Sequence, residues 1–109
     1  MEILALIDTG AEVTCIDRSI SNQLGFLPKQ YGSTNVPGLG GIAFSVFVEV
    51  EFQIPHPTAP ISQFFTIEDL EAVELDIQSL GYDAILGRDV LSHCVLIYDG
   101  VVGSYSLSY

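Results

Sequence analysis

The sequence predicts an all-β domain that carries only short helical turns. β-Branched and aromatic residues concentrate in stretches such as I-A-F-S-V-F-V-E-V-E-F, residues 42–52, which suit a pleated, half-buried surface. Ten glycines and five prolines divide those stretches, supplying the turns a β domain needs. No self-similar period of about 20–50 residues suggests a repeat array. With 109 residues, 49% of them hydrophobic, the chain is long enough for one core and too short for two lobes. A single domain over residues 1–109 is therefore expected.

The elements follow in chain order. Residues 2–8 are apolar up to Asp8 and read as a strand buried on both faces. A-E-V-T-C-I-D alternates as a second strand leaving the D-T-G triplet. In D-R-S-I-S-N-Q-L-G, Asp17 or Ser19 can cap a short helix and Gly25 can close it at C′. N-V-P-G-L-G-G-I-A-F sets a glycine-rich loop between two extended stretches. Pro55, Pro57 and Pro60 make a loop that holds His56. I-S-Q-F-F-T-I resumes as a strand, and the acidic E-D-L-E-A-V-E-L-D is expected to be a surface turn or irregular segment. Y-D-A-I-L-G-R-D-V-L runs from a buried stretch through Gly87 into a helical turn. The tail reads as a hairpin around Asp99-Gly100 with a terminal strand.

Charge narrows the possible partners. Fourteen acids face three bases, Arg18, Lys29 and Arg88, for a net charge of −11. So few cations cannot neutralise a run of phosphates, so nucleic acid is excluded as a partner. No stretch reaches the ~18 apolar residues of a membrane span. The start lacks a basic n-region, which leads to an expectation of a cytoplasmic protein. Cys15 and Cys94 form no C-x-x-C and read as free structural thiols. His56 reads as a loop histidine. His93 and Cys94 are adjacent, and neighbours in sequence rarely converge on one ion, so neither a metal nor a cofactor is expected.

One position resists a purely structural explanation. A carboxylate at the end of an apolar strand is costly unless it is hydrogen-bonded, paired or protonated, and Asp8 is followed by a bare Thr-Gly. D-T-G-A after an apolar strand, a central P-G-L-G-G and a late A-I-L-G-R-D together resemble the retropepsin family of aspartic proteases, over nearly the whole chain from Ile3 onward. The resemblance implies a retropepsin-like acid-protease barrel, a closed β-barrel half-lobe active as a C2 dimer. The family carries a further hairpin ahead of its catalytic loop. Here seven residues precede Asp8, so that hairpin is expected to be short or missing.

The resemblance also implies roles. Asp8 and its copy in a second chain would share a proton and activate water for peptide hydrolysis, with Thr9 bonding across the dimer and Gly10 contacting the peptide. Ala11, Glu12, Gly38, Leu39, Gly40, Gly41 and Ile85 would line the substrate, the four from Gly38 to Gly41 as a flap. Arg88 and Asp89 would give structural support, with Arg88 paired to Glu12. Tyr105, Leu107 and Tyr109 would join Thr9 in the dimer interface. The expected partners are thus a second copy and an extended peptide or protein substrate. The alternative is a catalytically silent domain of the same fold that binds peptides or serves as a dimerisation module. Ala11 stands where pepsin-like enzymes carry serine, and that hydroxyl would favour the ionised carboxylate. Rates measured across the pH range should therefore peak at a less acidic pH than for gastric-type enzymes. A peak near about pH 2 would contradict this.

Overall fold

The computed structural model describes the backbone of residues 1–25, 28–36 and 41–109, and side chains outside 26–45. Among the described residues, eight strands and two short helices follow one another as β1 (Ala5–Ile7), β2 (Cys15–Asp17), α1 (Arg18–Leu24), β3 (Pro28–Val36), β4 (Gly41–Ile54), β5 (Phe65–Leu75), β6 (Ala84–Leu86), α2 (Arg88–Leu91), β7 (Val95–Asp99) and β8 (Ser104–Ser108). Single 3₁₀ turns at Ile61–Gln63 and Gln78–Leu80 join the strands on either side of them.

Six strands form one sheet in the order β1-β6-β2-β5-β4-β3, and β7 and β8 form a separate hairpin. The expected closed barrel is corrected to an open sheet among the described residues. β1 pairs only with β6 and β3 only with β4, while β7 and β8 satisfy each other's ladder rather than bridging those edges. The centre of the sheet mixes directions. β6 runs parallel to β1 and antiparallel to β2, and β2 runs parallel to β5.

Alternation along β2 and β5 sends neighbouring side chains to opposite faces, and both faces are covered. Ile16, Ile20, Val48, Val50, Leu70, Ala72 and Val90 pack together on one face. Ala11, Cys15, Val73, Ile77 and Ile85 pack on the other. This double burial accounts for the continuous apolar character of C-I and A-I-L, since neither face can be polar.

α1 is punctuated as the sequence predicts. Asp17 is its N-cap and accepts from the Ser19 N–H at 2.9 Å, and Gly25 closes it in the left-handed region at φ 72°. The segment E-D-L-E-A-V-E-L-D departs from expectation, because it is the second half of β5 and contributes Leu70, Ala72, Val73 and Glu74 to the interior. The cause is a β-bulge. Val50 pairs with Leu70 but Phe52 pairs with Ile67, so Glu68 and Asp69 together oppose Glu51. The extra residue switches the inward set from Phe65 and Ile67 to Leu70, Ala72 and Glu74. Glu74 is tolerated inside because the Ser21 hydroxyl donates to it at 2.5 Å and Arg18 lies 4.0 Å away.

Asp17 does more than cap. Its Oδ1 accepts from the N–H groups of Ile77 and Gln78 at 2.7 and 2.8 Å, tying α1 to the 3₁₀ turn after β5. Burial alone would raise its pKa. Bonds from the Ser19 hydroxyl and from the backbone of Gln78, Ile77 and Ser19 outweigh burial and lower it from 3.8 to about 2. A depressed folded-state pKa stabilises the fold above the unfolded value, and that stabilisation is lost as pH falls through the folded one. Asp17→Asn should therefore cost about 1–3 kcal/mol near neutrality. In denaturant titrations the gap from wild type should begin to narrow below pH 3.8 and fade towards about 2.

Candidate active site

The D-T-G segment lies in the loop between β1 and β2, at the end of β1 where the parallel β1–β6 pairing finishes at Ile7 and Leu86. The Asp8 N–H continues that ladder by donating to the Leu86 carbonyl at 3.1 Å. The chain then turns: the Ala11 N–H reaches back to the Asp8 carbonyl at 3.2 Å, and the Gly10 N–H donates to Asp8 Oδ1 at 2.9 Å. A Cβ on Gly10 would sit 3.1 Å from that same carboxylate oxygen, so glycine leaves room for it. Asp8 is half-buried, while Thr9 and Gly10 are exposed. A carboxylate oriented by its own loop and open on one side can still meet another group.

The second wall of the site is the turn from β6 into α2. Arg88 donates its backbone N–H to the Ala11 carbonyl at 2.8 Å and its Nη1 to the Thr9 carbonyl at 3.0 Å. The expected Glu12–Arg88 ion pair does not form, because the guanidinium is engaged by Thr9 while Glu12 is exposed. Arg88 thus braces the D-T-G loop through its backbone. Asp89 accepts from the Thr14 N–H and the Thr14 hydroxyl at 2.9 and 2.7 Å. Gly87 passes so close to the loop that a Cβ there would lie 2.5 Å from the Val13 carbonyl carbon.

The remaining predicted residues are distributed unevenly. Ala11 and Ile85 are 5% exposed in one core cluster with Cys15, Val73 and Ile77, rather than on an open surface. Ile85 is sunk there because β6 has neighbours on both sides, Leu6 and Cys15 being its register partners. Gly41 begins β4 opposite Val36, at the end of the β3–β4 ladder. Gly38, Leu39 and Gly40 lie outside the described residues. Leu107 opposes Leu96 and Tyr105 opposes Tyr98 in the C-terminal hairpin. Tyr109 packs on Phe65 at 5.3 Å between ring centres and donates its hydroxyl to the Ile54 carbonyl at 3.4 Å. Tyr105 and Leu107 thus belong to the two-stranded hairpin, while Tyr109, just past β8, packs against the six-stranded sheet.

The bystanders have local roles. His56 Nδ1 accepts from the N–H groups of Thr58 and Ala59 at 3.2 and 3.1 Å, shaping the proline loop. Both cysteines are free. Burial, then the negative charges of Asp89 and Asp8, push the Cys15 thiol up to about 11, so it stays protonated behind the D-T-G loop. Among the described residues no group of three or more His, Cys, Asp and Glu side chains is placed to hold a metal ion, and no helix is long and apolar enough to cross a membrane. Thr14 was not anticipated as part of this site. Its only sequence signal is a hydroxyl inside an otherwise apolar alternation, V-T-C-I.

Compared with known families, the chain matches a model described as retroviral aspartyl protease over residues 1–97. It belongs to the retroviral aspartyl protease family, a family of aspartic protease hydrolases. No curated protein and no solved structure gives a significant match to it. Since the Gly87 contacts are to backbone atoms that no rotamer change can relieve, Gly87→Ala should lower stability by about 3 kcal/mol, a fall of roughly 10–20 °C in Tm. A melt within about 2 °C of wild type would show that the two loops separate more readily than their spacing implies.

Proposed function

We propose that the chain is an aspartic endopeptidase in which the Asp8 carboxylates of two copies activate one water molecule. The observation that carries this reading is the placement of Asp8. It sits at the end of a parallel strand pair, is oriented by Gly10, is braced through Thr9 and Ala11 by Arg88, and remains half-open. D-T-G occurs once in the chain, so a pair of such carboxylates requires a second copy, and C2 symmetry is the simplest way to bring the same loop face to face.

Two carboxyl groups a few Å apart cannot both ionise, so one proton is shared between them. The ionised partner takes a proton from water as the oxygen attacks the peptide carbonyl, and the protonated partner donates to the carbonyl oxygen. As the tetrahedral intermediate collapses, the carboxyl group that took the water proton gives it to the departing nitrogen and the other takes a proton back from a hydroxyl of the intermediate, which restores one shared proton for another cycle. No metal and no covalent intermediate is required. An extended peptide would lie across the site as an added strand. Gly10 would contact its backbone.

The C-terminal hairpin supports association of two copies. A two-stranded ribbon is marginally stable by itself in water, and this one exposes Ile97, Tyr98, Val101, Val102 and Tyr105. β1, next to it in the apolar groove that Ile3, Ile7, Tyr105 and Leu107 help to line, pairs on one side only among the described residues. Pairing with a second copy would cover this surface.

Cleavage of a mixed peptide library between about pH 4 and 7 tests the proposal. Asp8→Asn should abolish turnover, a loss of at least about a thousandfold, while leaving the melting temperature close to wild type. Specific activity should rise with protein concentration and level off where sedimentation reports a dimer. Cleavage that survives Asp8→Asn would overturn the proposal, as would activity independent of concentration in a chain that sediments as a monomer.

A further inference from the structure

We infer that Thr14 is a positioning residue for Asp8, holding the catalytic loop in register with the β6–α2 turn through its side-chain hydroxyl. The inference rests on the protease reading above and concerns how its catalytic carboxylate is kept in place.

Thr14 is 3% exposed, and every hydrogen-bonding group it owns is used. Its N–H donates to Asp89 Oδ2 at 2.9 Å and its hydroxyl donates to Asp89 Oδ1 at 2.7 Å. The same hydroxyl accepts from the buried Gly87 N–H at 3.1 Å, and its carbonyl accepts from Val73 N–H at 3.0 Å. The hydroxyl therefore stands in series between an amide donor and a carboxylate acceptor, an arrangement in which each bond polarises the next. Asp89 Oδ1 also accepts from the Val90 N–H at 2.9 Å, which fixes the carboxylate to the first turn of α2.

The consequence reaches Asp8 in one step. Gly87 is flanked by the two residues that hold the catalytic loop. Leu86 accepts from the Asp8 N–H, and Arg88 bonds the carbonyls of Thr9 and Ala11. A shift of Gly87 is a shift of both. Replacing the hydroxyl by a methyl leaves the Gly87 N–H without its acceptor and Asp89 Oδ1 without one donor, at almost unchanged volume. The turn must then move to satisfy them. An extended substrate is held by many backbone bonds, whereas proton transfer depends on the placement of one carboxylate within a fraction of an ångström. The loss should therefore fall on kcat rather than KM.

Thr14→Val and Thr14→Ser separate hydroxyl from shape. Each would be assayed as folded protein, with active sites counted by titration with a tight-binding hydroxyl-containing peptide such as pepstatin. Thr14→Val should lose about 10- to 100-fold in kcat with KM within about threefold of wild type. Thr14→Ser should recover kcat to within about threefold. Amide exchange followed by NMR gives a readout independent of turnover. The Gly87 N–H should be protected in wild type and in Thr14→Ser. A Thr14→Val enzyme with kcat within about threefold of wild type would overturn the inference. So would a Thr14→Ser variant as impaired as Thr14→Val, which would make the methyl group the important part. Rapid exchange of the Gly87 N–H in wild type overturns it even if Thr14→Val does not fold. A wild-type chain without Asp8-dependent cleavage would instead remove the protease reading, and the inference with it.

Discussion

The contact between the loop after β1 and the turn after β6 is the constraint on which the site depends. Residues 73 to 79 positions apart in sequence meet there through the bonds Thr14–Gly87, Thr14–Asp89 and Thr9–Arg88. These bonds stand where the backbones come closest, against the missing side chain of Gly87. Loop backbone that is partly buried must find partners for its N–H and C=O groups, and here each loop supplies the other's. The D-T-G segment can thus carry an acidic side chain at the end of an apolar strand, because its main chain is held by the β6–α2 turn and its half-buried carboxylate accepts from the Gly10 N–H.

The mixed sheet explains why such a contact exists. β1 and β2 flank β6, so the connection from β1 to β2 must pass over the end of β6, and the D-T-G loop is that connection. The core clusters on the two faces hold these three short strands together, although each is only three residues long. Three-residue strands have little ladder energy, and burial of Cys15, Val73, Ile77, Ile85 and Val90 supplies the missing cohesion. Asp17 extends the same logic outward. It links α1 to the turn after β5 by accepting four bonds on one carboxylate. The acidic residues of this chain thus serve two ends. Some, such as Asp17, Glu74 and Asp89, are structural acceptors inside, and most of the others lie on the surface.

Much of the architecture was legible in local sequence. Asp17 and Gly25 bound α1 because capping depends on residues within one turn of the helix end. The long β4 was visible in its run of β-branched and aromatic residues. D-T-G and G-R-D stood out because glycine beside acidic or basic residues marks places where backbone and charge must come together. The second half of β5 was not legible, since a bulge at Glu68 and Asp69 shifts the inward parity and makes a buried strand look like an acidic turn. The partner of Arg88 also differs from expectation: the family resemblance implied Glu12, whereas the folded loop presents the Thr9 carbonyl to the guanidinium.

The sequence by itself carried the family resemblance, through D-T-G-A, P-G-L-G-G and A-I-L-G-R-D, and with it the expectation of aspartic protease chemistry. It also determined where α1 begins and ends. Only the tertiary structure decided that the sheet is open among the described residues, that Ala11 and Ile85 are interior, and that Thr14 connects the two loops of the site. Capping and periodicity are set by neighbours a few residues away. Register between segments more than 70 residues apart is set by how well two distant surfaces pack and whose buried donors find acceptors.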